Sequence, residues 1–127
     1  MEKKIIFTAK APAPIGPYNQ AVLFGNTLYI SGQIAMDPKT GVLFEGDIKK
    51  ETEIVMQHLK SILEEAGMDF SHVVKTSIFL MDMQQFTQVN EVYGQYFDTA
   101  NAPARETIQV AGLPKGAKVE ISMIAAR

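Results

Sequence analysis

Six polar residues are the candidates for chemistry in this sequence: Tyr18, Ser31, Asn90, Arg105, Thr107 and Glu120. Arg105 follows Pro103 and Ala104 at the start of a predicted strand. Its guanidinium offers a planar fork of N–H donors that suits a carboxylate or a phosphate. The residues alone leave two other roles open, an exposed arginine or one that pairs with Glu120 inside the chain.

Glu120 lies between Val119 and Ile121 in an otherwise apolar predicted strand. Such a carboxylate is either on the exposed face of a sheet or in a dry pocket, where desolvation raises its pKa toward acid–base chemistry. The remaining candidates give weaker signals, because an aromatic anchor, a strand-end hydroxyl and a helical amide are common structural features.

Composition argues against several other kinds of chemistry. The 127 residues contain no cysteine, which removes disulfides, thiolate nucleophiles and cysteine-bound zinc. His58 and His72 lie in separate segments without a neighbouring ligand pattern, so we predict no metal site. The net charge of −2 does not favour a nucleic-acid partner. The densest lysines are expected on a solvated face of mixed charge, made of Asp47, Lys49, Lys50, Glu51 and Glu53.

Length and hydropathy predict the broad class of the protein. A hydrophobic fraction of 46% in 127 residues indicates one globular domain spanning residues 1–127. No apolar run approaches the roughly 20 residues that cross a bilayer. The apolar run near the N-terminus is also too short for a secretory signal. We therefore expect a cytoplasmic protein without a membrane partner.

Periodicity predicts an α+β fold in which two helices cover one face of a single sheet. Strands are predicted over 3–8, 21–24, 27–31, 73–81, 106–111 and 119–126, and helices over 48–66 and 83–97, with Asp47 and Asp82 as N-caps. In strand 73–81 the predicted buried set is Val74, Thr76, Ile78 and Leu80. On some registers Val110, Ile121 and Met123 face away from the helices, where they are too apolar to be left in water. A homo-oligomer that covers the bare sheet face is the expected solution.

Six segments, in this order along the chain, resemble the Rid (reactive intermediate deaminase) family. They are Ala13-Pro14-Ile15-Gly16-Pro17-Tyr18, Ile30-Ser31-Gly32-Gln33-Ile34, Pro38-Lys39-Thr40-Gly41, Val89-Asn90-Glu91-Val92-Tyr93, Pro103-Ala104-Arg105, and the stretch from Leu113 to Ile121. The resemblance implies a chorismate-mutase-like fold with one mixed six-stranded sheet and two helices on one face. It also implies a homotrimer with a central barrel and three sites in the clefts between subunits.

The activity that the resemblance implies is hydrolysis of 2-imino acids to 2-oxo acids and ammonia, without a cofactor. A protonated imine is already a strong electrophile, so such a site needs position and a water molecule more than a side-chain nucleophile. The roles carried over are carboxylate binding by Arg105, water activation by Glu120 and a pocket hydroxyl from Tyr18. Ser31 and Gly32 would form the wall, Asn90 would support the site, and Thr107 stands where many family members have cysteine.

Two other functions are weighed against imine hydrolysis. A non-catalytic protein that binds 2-oxo acids would need Arg105 but not Glu120 or Tyr18. Ribonuclease activity or inhibition of translation, a label often given to this family, is disfavoured by the acidic composition and by the lack of a histidine pair or other acid–base pair suited to RNA cleavage.

Overall fold

Six strands form one mixed sheet in the computed structural model, which describes residues 2–127. The strands are β1 (Lys3–Ile6), β2 (Ala21–Phe24), β3 (Thr27–Gln33), β4 (Val73–Leu80), β5 (Ala104–Gln109) and β6 (Val119–Ala126). Their order across the sheet is β1-β2-β3-β6-β4-β5. β4 and β5 pair in parallel, and the other neighbours are antiparallel. The predicted six-stranded mixed sheet is confirmed.

Local signals explain where several elements begin and end. The two-residue loop Gly25-Asn26 joins β2 to β3, and Gly25 has a φ of 64°, as tight hairpin turns require. The long helix α1 spans Ile48–Glu65, and the Asp47 side chain accepts a hydrogen bond of 2.8 Å from the Lys50 backbone N–H. Gly67, with a φ of 73°, follows the end of this helix.

The second predicted helix, over 83–97, is wrong in its extent. The α-helix α2 covers only Phe86–Tyr93, between 3-10 turns at Met83–Gln85 and Gly94–Tyr96. Asp82 caps the first of these turns, because its side chain accepts the Gln84 N–H at 2.9 Å. After α2 the chain turns away, and the Phe97 ring packs 5.4 Å from the Phe70 ring, a tertiary contact that periodicity does not register.

Both helices lie on the same face of the sheet, where they cover the core. The fully buried side chains of β6 are Val119, Ile121, Met123 and Ala125, so the prediction that Ile121 and Met123 face away from the helices is wrong. The other face is nevertheless apolar in part, because Tyr29 and Ile108 are 50% and 45% exposed there. Tyr29 lies between the buried Leu28 and Ile30 of β3, and Ile108 pairs with Phe79, which lies between the buried Ile78 and Leu80 of β4.

Two further departures from the predicted strands matter for the site. β5 begins at Ala104 instead of Glu106, directly after Pro103, so Arg105 belongs to the strand and pairs with Thr76 of β4. In β4, Val74 is exposed although the alternation predicts its burial. A register shift against β6 between Val73 and Lys75 changes the phase of the strand at this point.

Candidate functional site

A cavity of about 350 Å³ brings together four of the predicted site residues: Tyr18, Ser31, Gly32 and Glu120. The proline-rich loop forms one wall through Pro12 and Ala13. At the end of β3, Ile30 pairs with Met123 but Gln33 pairs with Ile121, so Ser31 and Gly32 together oppose one residue of β6. This bulge interrupts the regular pairing of β3 with β6 close to Glu120.

Gly32 and Glu120 lie in direct contact. A Cβ built on Gly32 would stand 2.6 Å from Glu120 Oε2 and 2.8 Å from Glu120 Cδ, closer than real Cβ atoms come to other atoms. The carboxylate therefore occupies the space that any other side chain at position 32 would need. Glycine is required here because of this close approach.

The Glu120 carboxyl is half-buried, and this burial raises its pKa above the ordinary value of 4.5. Among residues 2–127 it takes part in no salt bridge, so the alternative in which Arg105 pairs with it inside the chain is wrong for this structure. A carboxyl with a raised pKa exchanges a proton more readily near neutral pH than an exposed glutamate does. Glu120 thus lies between the two predicted alternatives, because it is on the uncovered face of the sheet but is half-buried there.

Gln20, which the sequence did not single out, holds the proline-rich wall of the cavity. Its side chain is 2% exposed, and its Nε2 lies 3.0, 3.2 and 2.9 Å from the carbonyl oxygens of Thr8, Ala11 and Pro12. Its Oε1 accepts the Thr8 N–H at 2.8 Å. Prolines remove backbone donors from this segment, so the loop needs a side chain to satisfy its carbonyls. The only signal in the sequence is a glutamine between the loop and a strand.

Tyr18 and Ser31 are placed by short local bonds. The Tyr18 N–H donates to the Gly16 carbonyl at 2.8 Å, which turns the chain so that the half-exposed ring lies at the cavity. Ser31 Oγ donates to the Asn19 carbonyl at 2.6 Å. The serine hydroxyl is thereby committed to the wall of the cavity, whereas the Tyr18 ring reaches into its opening.

Arg105, Asn90 and Thr107 form a second group, outside this cavity. Arg105 Nη1 donates to Asn90 Oδ1 at 2.7 Å, and its guanidinium carbon lies 4.9 Å from the Tyr93 ring centre and 5.6 Å from that of Phe86. The amide and the two rings of α2 hold the guanidinium in place. Thr107 Oγ1 is the one buried side-chain oxygen or nitrogen within residues 2–127 that has no hydrogen-bond partner.

The two groups lie on opposite faces of the sheet. Arg105 pairs with the buried Thr76 and contacts α2, so it is on the helix face. Glu120 alternates with the buried Val119 and Ile121 and is on the other face. The two strands are also separated by β4, and Glu120 pairs with Phe79, three residues along β4 from Thr76. Ordinary strand spacings then put the Cα atoms of Arg105 and Glu120 roughly 14 Å apart. One copy of the chain therefore does not bring both side chains to one small molecule.

Neither a cluster of metal-binding side chains nor a membrane-spanning helix is found among the residues that the structure describes. Within residues 2–127 no group of three or more histidine, aspartate or glutamate side chains is arranged to hold a metal ion. In the same part of the chain, no helix has the length and apolar character needed to span a bilayer.

The fold and the cavity together define an α+β protein with a candidate small-molecule site at a bulged strand beside a half-buried carboxylate. The chain belongs to the Rid family, since the family model described as Endoribonuclease L-PSP matches residues 8–127. The predicted family is confirmed.

Several characterised and solved relatives extend over nearly the whole chain. The human 2-iminobutanoate/2-iminopropanoate deaminase is 50% identical over 123 residues, which cover 97% of this chain and 89% of the human protein. The crystal structure of a Rid-family protein of unknown function from Yersinia pestis has a TM-score of 0.95 at 45% identity, covering 99% of this chain and 100% of the other. The structure of E. coli TdcF with bound serine has a TM-score of 0.90 at 40% identity and covers 98% of each chain.

Proposed function

We propose that this protein is a hydrolase that converts 2-imino acids, such as 2-iminopropanoate and 2-iminobutanoate, into 2-oxo acids and ammonia. The observation that carries the proposal is the half-buried Glu120 carboxylate, which faces a cavity and is free of any salt bridge among the described residues. The similarity to deaminases with this named activity, at about half of all positions, supports the same reaction.

The chemistry assigned to each residue follows from its groups. The Arg105 guanidinium binds the substrate carboxylate, because only Nη1 is committed to Asn90 and the other N–H donors of the fork remain for an incoming anion. Glu120 orients a water molecule and accepts its proton. The Tyr18 hydroxyl bonds to the water or to the leaving nitrogen. Thr107 lies beside Arg105 on the same strand face and lines the carboxylate side of the site.

The proposed reaction needs only water and proton transfers. Water adds to the carbon of the protonated imine while one of its protons passes to the Glu120 carboxylate, which gives a carbinolamine. The Glu120 carboxyl then returns the proton to nitrogen, and the C–N bond breaks as the carbonyl forms. The Glu120 carboxylate takes up the hydroxyl proton and passes it to the departing ammonia. A protonated imine and water thus give the 2-oxo acid and an ammonium ion.

We propose that the complete site forms between two copies of the chain. Arg105 and Glu120 lie on opposite faces within one copy, so a cleft between subunits is the arrangement in which one substrate meets both. The half-exposed Tyr29 and Ile108 on the uncovered sheet face give such an assembly an apolar surface to bury. A homotrimer around a central barrel, with residues 1–127 as one domain in each subunit, satisfies both requirements.

The activity is tested by generating 2-iminopropanoate in situ with a dehydratase and trapping the free imine with semicarbazide. The wild-type protein is expected to lower trapping, and Arg105→Ala is expected not to. Unchanged trapping with wild-type protein contradicts imine hydrolysis. A protein that leaves trapping unchanged but binds pyruvate through Arg105 is instead a carboxylate-binding protein, and cleavage of a single-stranded RNA in a parallel assay would support the ribonuclease alternative.

The shared site is tested by mixing two variants expected to be strongly impaired, Arg105→Ala and Glu120→Ala, under conditions that exchange subunits. Random assortment leaves about one quarter of the interfaces with both wild-type groups, so about one quarter of wild-type activity is expected to return. Mixtures of Arg105→Ala with Asn90→Ala, or of Glu120→Ala with Gly32→Ala, are the controls, because both substitutions fall in the same half of the site. No recovery in the first mixture contradicts the shared site.

A further inference from the structure

Glu51 is a buried carboxylate that belongs to neither group of candidate site residues. It stands in the first turn of α1 and is 1% exposed, so the prediction that it lies on a solvated face is wrong. Its Oε2 accepts the Lys118 backbone N–H at 2.8 Å, and its Oε1 lies 3.8 Å from Lys118 Nζ. Lys118 Nζ also donates to the Gly46 carbonyl. A buried carboxylate is costly unless it is hydrogen-bonded and paired, and here a single residue satisfies both needs.

Lys118 connects the cavity wall to the strand that carries Glu120. The 3-10 turn Pro114–Gly116 precedes it, and Pro114 and Lys115 line the cavity. The Lys118 carbonyl accepts the Met81 N–H at 3.1 Å, so this residue is fixed by α1 on one side and by the end of β4 on the other. Glu120 follows two residues later.

The backbone of the turn itself is strained. Lys115 has a φ of 57° and is the one non-glycine residue with a positive φ in residues 2–127, and Gly116 follows with a φ of 79°. A residue with a Cβ keeps this conformation only where surrounding contacts hold it. The Ala117 N–H donates to the Pro114 carbonyl at 3.0 Å and closes the turn, and the fixed Lys118 follows directly in the chain.

We propose that Glu51 is a positioning residue of the active site. Through the Lys118 N–H it holds the strained turn against the cavity and sets the position at which β6 presents Glu120 to Gly32. Glu51 does not touch the substrate. This inference rests on the proposed function, because it concerns the rate of the reaction assigned to Glu120.

The test compares three variants of the whole chain in the imine-trapping assay. Glu51→Gln keeps an oxygen that accepts the Lys118 N–H, whereas Glu51→Ala removes it. Thr52→Val is the matched control, since Thr52 is fully buried in the next position of α1 and its hydroxyl donates only to the Ile48 carbonyl of its own helix, at 2.8 Å. Amide hydrogen exchange at Lys118 is measured alongside, as a direct report on the Glu51 bond.

A residue that only positions the catalytic group is expected to affect kcat but not KM. For Glu51→Ala we expect kcat to fall about 10- to 100-fold, the loss typical of a misplaced catalytic group. KM is expected to stay within about two-fold, because Arg105 and its partners are untouched. Lys118 exchange should accelerate in Glu51→Ala alone, and Glu51→Gln and Thr52→Val should keep a kcat near that of the wild type.

Equal kcat in Glu51→Ala and Thr52→Val, or unchanged exchange at Lys118, would overturn the proposal. Should Glu51→Ala fold poorly, Glu51→Asp replaces it, because aspartate keeps the charge but shortens the side chain by one methylene. An undiminished kcat in Glu51→Asp would also contradict the proposal. If the wild type itself shows no imine hydrolysis, the proposed function fails. The exchange rate of Lys118 then still decides whether Glu51 holds the turn, since it needs no activity.

Discussion

The Cα of Gly32 faces the carboxylate of Glu120 with no room for a methyl group between them. The side chain of Glu120 fills the space that a Cβ at position 32 would take, at 2.6 Å from Oε2. The bulge that ends the regular pairing of β3 with β6 creates this contact. Position 32 therefore controls where the carboxylate stands, although glycine itself brings no chemical group to the site.

Gly32→Ala is expected to displace the Glu120 carboxylate and to lower kcat/KM about 10- to 100-fold, because a shift of about 1 Å in a catalytic group has this effect. The steady-state rate of imine hydrolysis measures it. A double-mutant cycle with Glu120→Ala identifies the cause. In the Glu120→Ala background the second substitution should change nothing, and a further loss of activity there would mean that Gly32 acts by another route.

Elements governed by local patterns could be predicted from the sequence. The helix Ile48–Glu65 shows apolar residues at three- and four-residue spacing after a capping aspartate, and Val119–Ala126 is a short, mostly apolar run bounded by a turn. The predicted ends of both elements agree with the structure to within one residue. The predicted second helix extends too far because the contact of Phe97 with Phe70 depends on a residue far away in the chain.

The sequence singles out the candidate residues by type and position, but only the family resemblance assigns roles to them, and several of the contacts around them could not be predicted. Glu51 lies among charged residues typical of a solvated helix face, and its burial depends on the backbone N–H of Lys118, 67 positions away. Gln20 likewise donates hydrogen bonds to backbone carbonyl groups, and the pattern of side chains in the sequence does not predict such bonds. The separation of Arg105 from Glu120 follows from strand order, which sequence periodicity does not encode.

Arg105→Lys is expected to lower kcat/KM for imine hydrolysis about 10- to 100-fold. A lysine keeps the charge but loses the planar fork, and each charge-assisted hydrogen bond contributes about 1.5–3 kcal/mol. Asn90→Ala, which removes the 2.7 Å bond that orients the guanidinium, should cause a smaller loss of about ten-fold. Phosphate-free buffer avoids competition by an anion. Full activity in Arg105→Lys would show that charge alone suffices for the substrate carboxylate.

Glu120→Gln should stabilise the protein at neutral pH while it lowers activity. The folded-state pKa of Glu120 is raised by burial, so the folded protein binds the proton more tightly than the unfolded chain does. The stability associated with this proton is present below the ordinary pKa of 4.5 and is lost as the pH rises through the folded-state pKa. Glutamine avoids that loss. The Tm of the variant should exceed that of the wild type at pH 7.5 and match it at pH 4, and a lower Tm at pH 7.5 would contradict the cause given for the shift.

His58 should make the protein less stable as the pH falls below neutrality. The side chain is 6% exposed, and burial lowers its pKa below 6.5, against the opposing effects of the Met36 carbonyl and of Asp37. The Met36 oxygen, 2.9 Å from Nε2, can only accept, so neutral His58 carries its proton on Nε2. Folding with neutral His58 contributes stability that is fully present above pH 6.5.

That contribution is lost as the pH falls through the folded-state pKa, because the unfolded chain then binds the proton and the folded protein resists it. Urea denaturation between pH 7.5 and 5 measures the slope of the unfolding free energy against pH. His58→Gln, whose amide can still donate to Met36, should have a shallower slope than the wild type. His72→Gln is the matched control, since it removes a histidine that bonds to Asp69 at the surface instead of in the core. Equal slopes for wild type and His58→Gln would mean that His58 is not the group that titrates.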